Sequence, residues 1–330
     1  MMEKRRIGPF NATALTLGCM NLSHAYGTPP GREAAEALLR RALEAGVDFF
    51  DTAALYGFGS NESLVGAVLK PHRQHITLAS KCGMTGVDGK KVIDGRPETI
   101  LRTCEESLTR LGTDVIDLYY LHRRDFQVPI EESVGALARL VEQGKVRTIG
   151  LSEVSAATLR RAHAEHPITA VQSEYSLWTR NPEIGVLDAC RELGAAFVAF
   201  SPLARGFLTG NLTDPATQLE PKDIRCQMPR FEPENYARNL KLLDDYKAIA
   251  IETGCTPAQL GLAWLLAQGD NIFALFGTKS IDHLDENLGA DGLKLPPETI
   301  SRLDDLINQT TVSGARYSPA IQSEIDTEDY

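Results

Sequence analysis

Residues 47–57 read VDFFDTAALYG, an apolar run that ends in the carboxylate of Asp51 and is followed by Tyr56. Such a run is typical of a buried β-strand. Comparable runs with polar ends occur at residues 78–81 (LASK), 118–122 (LYYLH) and 149–152 (IGLS). In a parallel α/β barrel the carboxyl ends of the strands meet at one mouth, so we expect these polar residues to lie together. The candidate active site consists of Asp51, Tyr56, Lys81 and His122.

Segments typical of strands alternate along the chain with segments that have the helical period. The predicted strands cover residues 15–19, 47–51, 76–81, 115–121, 148–152, 169–172, 196–200 and 272–276. The predicted helices that follow them cover residues 33–45, 62–69, 97–111, 130–141, 155–164, 183–193, 256–267 and 281–288. This alternation favours parallel strands joined by right-handed crossovers. We therefore predict the α/β class and a (β/α)8 TIM barrel that occupies residues 1–330 as a single domain.

The alternative architecture is an open, doubly wound sheet. A sheet of that kind that binds a dinucleotide would carry a Gly-x-Gly-x-x-Gly turn after its first strand, and the sequence has none there. Beyond the barrel we predict an N-terminal hairpin over residues 5–18 and two extra helices over residues 235–252 and 297–307. Residues 85–95 and 203–234 are predicted as long loops, and the polar tail as partly mobile.

Composition limits the classes of partner. The 330 residues carry a formal net charge of −10, and no basic block exceeds residues 4–6, which argues against a nucleic acid or an anionic membrane surface. No apolar run reaches the length of a membrane span, and the N-terminus lacks the apolar stretch of a secretory signal. The six cysteines have no paired spacing, so we expect reduced thiols, no metal site and a cytoplasmic protein.

The four candidate residues together suit the reduction of a carbonyl group. Hydride addition to C=O leaves an oxyanion that needs a proton, and tyrosine, with a reference pKa of about 10, is a weak acid at neutral pH. The ammonium group of Lys81 would lower the pKa of Tyr56, and Asp51 would keep Lys81 charged and oriented. His122 would polarise the carbonyl oxygen or pass the proton. The hydride must come from a cofactor.

Over nearly its whole length the sequence resembles the aldo-keto reductase family, in particular its bacterial and plant aldehyde reductases. The resemblance rests on residues 51–57 (DTAALYG), 80–81 (SK), 120–123 (YLHR), 150–152 (GLS), 172–176 (QSEYS), 201–206 (SPLARG) and 277–279 (GTK). It implies that Asp51, Tyr56, Lys81 and His122 are the catalytic tetrad. It also implies that NADPH binds at the barrel mouth without a Rossmann turn.

The resemblance further implies which residues bind the cofactor. Ser152 and Gln172 would hold the nicotinamide carboxamide, with Glu153 in place of the family's common asparagine. Phe200 would stack on the nicotinamide ring in place of the usual tyrosine. The residues that would line the pyrophosphate are Ser201, Leu203, Arg205 and Gly206. Those around the 2′-phosphate and the adenine would be Gly277, Lys279, His283, Glu286 and Asn287, with Ser280 where arginine is common.

Three functions are compatible with these residues. The leading one is an NADPH-dependent aldehyde or ketone reductase that takes a small-molecule carbonyl substrate. The second is a slow redox sensor or regulatory subunit with the same fold and cofactor. The third is a Schiff-base lyase that uses Lys81, against which Asp51, Tyr56 and the cofactor motifs argue. Tyr26 and Trp178 are either walls of the substrate pocket or packing aromatics, and neither the substrate nor the oligomeric state follows from the sequence.

Overall fold

The computed structural model describes residues 2–87 and 89–330, without the side chain of Val87. The strands in this part of the chain are β1 (Lys4–Ile7), β2 (Phe10–Thr13), β3 (Leu15–Gly18), β4 (Phe49–Asp51), β5 (Thr77–Cys82), β6 (Met84–Val87), β7 (Lys90–Ile93), β8 (Ile116–Leu121), β9 (Val146–Ser152), β10 (Ala170–Glu174), β11 (Ala196–Phe200) and β12 (Ile272–Gly277). Eight of them form a closed barrel in the order β3-β4-β5-β8-β9-β10-β11-β12, and β12 pairs in parallel with β3. The predicted (β/α)8 barrel is therefore confirmed.

Each barrel strand leads into a helix on the outside of the barrel. The helices are α1 (Arg32–Glu44), α2 (Ser60–Leu69), α3 (Pro97–Leu111), α4 (Ile130–Glu142), α5 (Ala156–Glu165), α6 (Val186–Leu193), α7 (Pro215–Gln218), α8 (Pro233–Leu240), α9 (Leu242–Thr253), α10 (Pro257–Leu266), α11 (Ile281–Leu288), α12 (Pro297–Leu306) and α13 (Pro319–Gln322). Local sequence defines their ends. Helix α10 begins at a capping box between Thr256 and Gln259, and α3 ends at Gly112, whose φ of 63° is the left-handed conformation that glycine favours.

Side chains fill the interior of the barrel. A buried cluster inside it includes Phe49, Leu118, Tyr120, Val198 and Phe273. Gly150 is required beside Tyr120, because a Cβ atom at position 150 would lie 2.5 Å from the tyrosine ring. The interior is therefore a packed core, as in other barrels of this kind, and a binding site has room only beyond the strand ends.

The N-terminal hairpin closes the other end of the barrel. It consists of β1 and β2 and turns at Gly8, whose φ of 55° permits a tight turn. Arg5 fastens it to the barrel by donating hydrogen bonds of 2.7 Å to the carbonyl oxygens of Gly269 and Ile272. The predicted hairpin over residues 5–18 was too long, because Leu15–Gly18 pairs with β4 and β12 as a barrel strand instead.

The segments outside the barrel differ from the prediction in three places. Within residues 85–95, predicted as a loop, β6 and β7 form an antiparallel hairpin; Asp88 lies outside the described residues. Residues 203–234 contain α7 and several single helical turns. The extra helix predicted over residues 235–252 is two helices, because the amide of Lys241 bonds the carbonyl of Arg238 in an i→i−3 turn that interrupts the α-helical ladder.

The C-terminal tail packs on the barrel. The amide of Asp326 donates to the carbonyl of Glu153 at 3.0 Å, and the Asp326 carboxylate pairs with Arg124 at 3.1 Å. Glu328 accepts a hydrogen bond of 2.7 Å from the amide of Ala156 at the start of α5. The tail therefore has fixed contacts where partial mobility was predicted. Among the helices of residues 2–87 and 89–330, none combines the length and apolar character needed to cross a membrane.

Candidate active site

A cavity of about 730 Å³ lies at the mouth of the barrel, and the loops that follow the strands line it. Its volume is in the range of about 300–1,000 Å³ that is usual for small-molecule and cofactor sites. Every residue predicted for the cofactor lines this cavity, as do Asp51, Tyr56 and His122. The remaining predicted residue, Lys81, is 0% exposed and lies behind them. The structure thus brings the whole predicted set to one place.

Lys81 is held by three oxygen atoms. Its ammonium group forms an ion pair with Asp51, donates to the carbonyl of Thr52 at 2.8 Å and lies 3.4 Å from the Tyr56 hydroxyl. Burial by itself would lower the pKa of Lys81, but the negative charge of Asp51 and the contact with Tyr56 raise it above its usual value. A charged, enclosed lysine is a poor amine nucleophile, which argues against the Schiff-base lyase.

Tyr56 lies at the cavity wall in a short helical turn after β4. Burial raises the pKa of Tyr56; the charge of Lys81 lowers it and that of Asp51 raises it again. Lys81 thus lowers the pKa of Tyr56, as expected, but burial and the charge of Asp51 outweigh this effect, so the net pKa lies above the usual value. The phenol of Tyr56 is consequently protonated at neutral pH and available as an acid.

His122 follows β8, and its amide donates to the carbonyl of Cys82 at 2.8 Å. Its ring stands edge-on to that of Tyr56, with 5.7 Å between the ring centroids. Burial holds the pKa of His122 well below its usual value, and the charges of Arg123 and Lys81 lower it further. Its Nδ1 atom is buried and has no hydrogen-bond partner among the described residues. A neutral imidazole therefore faces Tyr56.

Gln172 bonds a member of the tetrad. Its amide nitrogen donates to Asp51 Oδ2 at 2.9 Å, while the other carboxylate oxygen of Asp51 binds Lys81. Ser152, the other residue expected at the carboxamide, accepts a hydrogen bond of 3.3 Å from Arg123. Both residues line the cavity beside the tetrad, so a planar amide could bond their side chains there.

Glu153, in contrast, turns away from the cavity. Its backbone is left-handed, with φ of 56°, and its carboxylate binds Arg316 at 2.7 Å and the amide of Glu174 at 3.0 Å. Both carboxylate oxygens of Glu153 accept from Arg316 in the tail, so Glu153 does not take the place of the family's asparagine in the cavity wall.

Arg205 belongs to the same buried network. It donates to Glu174 at 2.7 Å and to the hydroxyl of Tyr317 at 2.9 Å. Burial would raise the pKa of Glu174, but Arg205 and Arg316 lower it to about 2. Arg205 still lines the cavity, although part of its charge is balanced by Glu174.

The loop that contains Arg205 has a strained backbone. Ser201, Ala204 and Arg205 have φ values between 51° and 56°, and Gly206 has φ of 96°. Non-glycine residues in this region cost about 1–3 kcal/mol each and cluster at ligand sites. A strained backbone of this kind is consistent with a loop that binds a ligand, and residues 201–206 are the ones expected to line the pyrophosphate.

Two loops meet across the far end of the cavity. Lys279 donates to the carbonyl oxygens of Tyr26 at 2.8 Å and Thr28 at 3.1 Å. The hydroxyl of Thr28 donates to Glu220 in the long loop at 2.5 Å. Nearby, Ser280 caps helix α11 by accepting from the amide of His283. Such a helix start, with Lys279 beside it, can hold a phosphate.

Several cavity residues were not predicted from the sequence. They include Asn21, Lys91, Arg123, Tyr317, Ile321 and Glu324. Arg123 was within a recognised motif, and the alternation around Gly89 was a signal for the hairpin that carries Lys91. Of the two aromatic candidates, Tyr26 lines the cavity, whereas Trp178 is buried outside it and stacks on Phe207 with 4.4 Å between ring centroids.

The residues of this cavity fit a dinucleotide. Phe200 offers an aromatic face near the tetrad, the strained loop follows it, and Lys279 and the start of α11 lie at the other end. Aromatic, N–H and cationic groups thus occur in the order that a nicotinamide, a pyrophosphate and a further phosphate require.

Comparison with known proteins agrees with the fold. The model of the Aldo/keto reductase family matches residues 14–308. The aldo-keto reductase yakc [NADP(+)] of Schizosaccharomyces pombe is 44% identical over 328 residues, which cover 97% of this chain and 96% of the relative. A second curated relative, probable aldo-keto reductase 1 of Glycine max, is 43% identical over 93% of this chain and 89% of its own.

Solved structures give the same result. The glycerol dehydrogenase AKR11B4 from Gluconobacter oxydans superposes with a TM-score of 0.85 at 28% identity, covering 92% of this chain and 94% of its own. An aldo/keto reductase from Klebsiella pneumoniae, solved in complex with NADP and acetate, superposes with a TM-score of 0.72 at 26% identity, covering 96% and 99%. From the closed barrel, the residues at its mouth and these matches, we conclude that the chain belongs to the aldo/keto reductase family, which supports an oxidoreductase activity.

Proposed function

We propose that the protein reduces aldehydes or ketones to alcohols with NADPH. The observation that carries the proposal is the contact of 3.4 Å between Lys81 Nζ and the Tyr56 hydroxyl, with Asp51 behind the lysine and His122 beside the tyrosine. This arrangement suits protonation of an oxyanion at the cavity wall. Segments from residue 18 to residue 324 line the same cavity, so we infer that the whole chain acts as one domain.

Each tetrad residue has a separate role in this proposal. NADPH would supply the hydride that adds to the carbonyl carbon. Tyr56, a protonated phenol in a buried position, gives its proton to the carbonyl oxygen, and Lys81 stabilises the phenolate that remains. Asp51 keeps Lys81 charged and in place. His122, which is neutral, holds the carbonyl oxygen by a hydrogen bond without bringing a competing charge.

The cofactor assignment is supported from two directions. The S. pombe relative has NADP(+) in its name, and the Klebsiella structure contains NADP. In this chain, Ser152, Gln172, Phe200, Ser201, Leu203, Arg205 and Gly206 line the cavity. Ser152 and Gln172 would bind the carboxamide, Phe200 would stack on the ring, and the other four would line the pyrophosphate. Lys279, His283, Glu286 and Asn287 line the far end, where the 2′-phosphate and the adenine would lie.

The direct test measures products as well as cofactor consumption. The purified protein is incubated with a panel of aldehydes, ketones and quinones and with NADPH carrying deuterium at the transferred position. We expect NADPH oxidation and an alcohol that carries deuterium at the former carbonyl carbon. If no carbonyl compound in the panel gains deuterium while the protein binds NADPH, the proposed reduction is wrong.

One observation favours a slower variant of the same function, a redox sensor. The bonds from Lys279 to the Tyr26 carbonyl and from Thr28 to Glu220 close the far end of the cavity and would delay cofactor exchange. Rapid-mixing kinetics, which measure the rate of hydride transfer and the rate of turnover, distinguish a redox sensor from an ordinary reductase. A fast single hydride transfer followed by turnover slower by orders of magnitude would indicate a sensor, whereas comparable rates indicate an ordinary reductase.

A further inference from the structure

Arg123 lies in the cavity wall directly after His122 and is half-buried. One end of its guanidinium group is anchored, because Nη1 donates to the carbonyl oxygen of His122 at 2.6 Å and to the hydroxyl of Ser152 at 3.3 Å. The other end, formed by Nε and Nη2, makes no hydrogen bond to residues 2–87 or 89–330. The anchored end fixes the plane of the group, and the other end keeps two N–H donors available.

The remaining cations of the cavity wall have acceptors. Arg205 pairs with Glu174 and Arg225 with Asp223, both at 2.7 Å, and Lys91 pairs with Glu324. Lys279 donates to two carbonyl oxygens. Arg123, by contrast, has no carboxylate within 4.0 Å in the described part of the chain. Arg123 and Lys279 are therefore the lining cations without a counter-ion there, and of the two only Arg123 lies beside His122.

An unbalanced, half-buried guanidinium group next to a catalytic residue favours an anion. Its two available N–H groups match the two oxygens of a carboxylate, and paired bonds of this kind are stronger than neutral ones. We propose that Arg123 binds a carboxylate on the substrate, so that the site prefers aldehydes and ketones that also carry an acid group. This inference rests on the proposed reductase function and names its substrate class.

The position of Arg123 places this carboxylate close to the reacting carbonyl. The guanidinium group is bonded to the main chain of His122, and the ring of His122 packs against that of Tyr56. A substrate oxygen held between Tyr56 and His122 therefore has Arg123 within the reach of a small molecule. In the alternative assignment Arg123 would bond the carboxamide of the cofactor, which is neutral and would leave the charge of Arg123 unbalanced. The experiment below distinguishes a substrate carboxylate from the cofactor carboxamide as its partner.

The test compares matched acids and amides. The ortho, meta and para isomers of formylbenzoate are compared with the corresponding formylbenzamides, which have the same shape without the charge. With NADPH at saturation, we expect kcat/KM to be about tenfold higher for at least one acid than for its amide, as for a charge-assisted bond. In Arg123→Gln this ratio falls close to one, and in Arg123→Lys it lies between the two. The exposed arginine variant Arg32→Gln, which removes a positive charge outside the cavity, keeps the wild-type ratio.

Each other result has a defined meaning. If the acid-to-amide ratio of kcat/KM is close to one for all isomers in the wild-type protein, the inference about Arg123 is wrong. Reduction of the amides would in that case still support the proposed reductase function. If the wild-type protein reduces neither acids nor amides, the proposed function itself fails. A ratio that survives in Arg123→Gln also overturns the inference, and a loss of NADPH affinity in that variant, measured by fluorescence titration, would then assign Arg123 to the cofactor.

Discussion

The side-chain amide of Gln172 donates a hydrogen bond of 2.9 Å to Asp51 Oδ2, which connects a residue expected at the cofactor with the buried ion pair behind Tyr56. Asp51 thereby has a polar partner on each oxygen, Lys81 on one and Gln172 on the other. A buried carboxylate that loses a partner keeps its desolvation cost. Gln172 is therefore part of the support of the tetrad as well as a candidate cofactor contact.

The first prediction concerns this bond. Gln172→Leu removes the donor to Asp51 and should lower the free energy of unfolding by about 1–3 kcal/mol, the usual cost of an unsatisfied buried polar group. Urea denaturation at neutral pH measures it. The exposed position 74 offers a control, since Gln74→Leu makes the same chemical change away from the site and should be close to neutral. Equal effects at both positions would show that the bond to Asp51 contributes nothing.

The second prediction concerns Tyr56. Tyr56→Phe removes the acid and almost no volume, so carbonyl reduction should fall by about 100-fold to 10,000-fold, the range usual for a general acid. The dissociation constant for NADPH, measured by fluorescence titration, should stay within about twofold because the ring remains. The exposed Tyr330→Phe serves as the matched control and should keep full activity. Near-normal turnover in Tyr56→Phe would remove this residue from the mechanism.

The barrel, and the proximity of Asp51, Tyr56, Lys81 and His122 at its mouth, could be predicted from the sequence because both follow from local patterns. The apolar runs at residues 47–51, 76–81 and 115–121 each end in a chemically distinctive residue, and parallel strands bring such ends together. The contact from Gln172 to Asp51 spans 121 positions, and that from Arg316 to Glu153 spans 163. No periodicity in the chain encodes such pairs, so the sequence left the role of Glu153 open, and the structure shows its carboxylate bound to Arg316 in the tail.

The pKa of Tyr56 shows a second limit of sequence reasoning. The residue types alone indicate that Lys81 lowers the pKa of Tyr56. The net direction depends on burial, which raises it, and on the distances to Lys81 and Asp51, whose charges oppose one another. Those quantities exist only in the folded chain.

The third prediction concerns acid stability. Arg205 and Arg316 lower the pKa of Glu174 to about 2 from the usual 4.5, against the opposing effect of burial. A carboxyl with a lowered pKa in the folded state contributes stability that is complete above about pH 4.5 and is lost as the pH falls toward 2, because the unfolded chain takes up the proton first. Unfolding free energies measured across this range should decrease for the wild-type protein.

The variant Glu174→Gln tests the origin of that decrease. It has no proton to take up at this position, so its stability should be lower at neutral pH but should depend less on pH between about 4.5 and 2. Glu44→Gln, at an exposed position that has no ion pair among the described residues, is the control and should keep the wild-type pH dependence. An unchanged pH slope in Glu174→Gln would mean that other carboxyl groups account for the acid sensitivity.

The fourth prediction concerns the choice between NADPH and NADH. Ser280 stands where the family resemblance implies an arginine, and its hydroxyl caps helix α11 by accepting from the amide of His283 at 3.4 Å. Lys279, the adjacent cation, is occupied by the carbonyl oxygens of Tyr26 and Thr28. We expect NADPH to be preferred by Lys279 and the helix start, but by less than in relatives that have the arginine.

Two variants at position 280 distinguish the effect of an added positive charge from the effect of losing the helix cap. Ser280→Ala removes only the cap, which is worth about 0.5–2 kcal/mol of stability. Ser280→Arg removes the cap and adds a guanidinium group that can bind a phosphate through paired bonds. Compared with Ser280→Ala, the Ser280→Arg variant should therefore have a dissociation constant for NADPH that is lower by about tenfold, the equivalent of 1.4 kcal/mol. Its dissociation constant for NADH should be nearly unchanged. Fluorescence titration with both cofactors measures this. If the arginine changes both constants by the same factor, the 2′-phosphate does not lie at the start of α11, and equal constants in the wild-type protein would lead to the same conclusion.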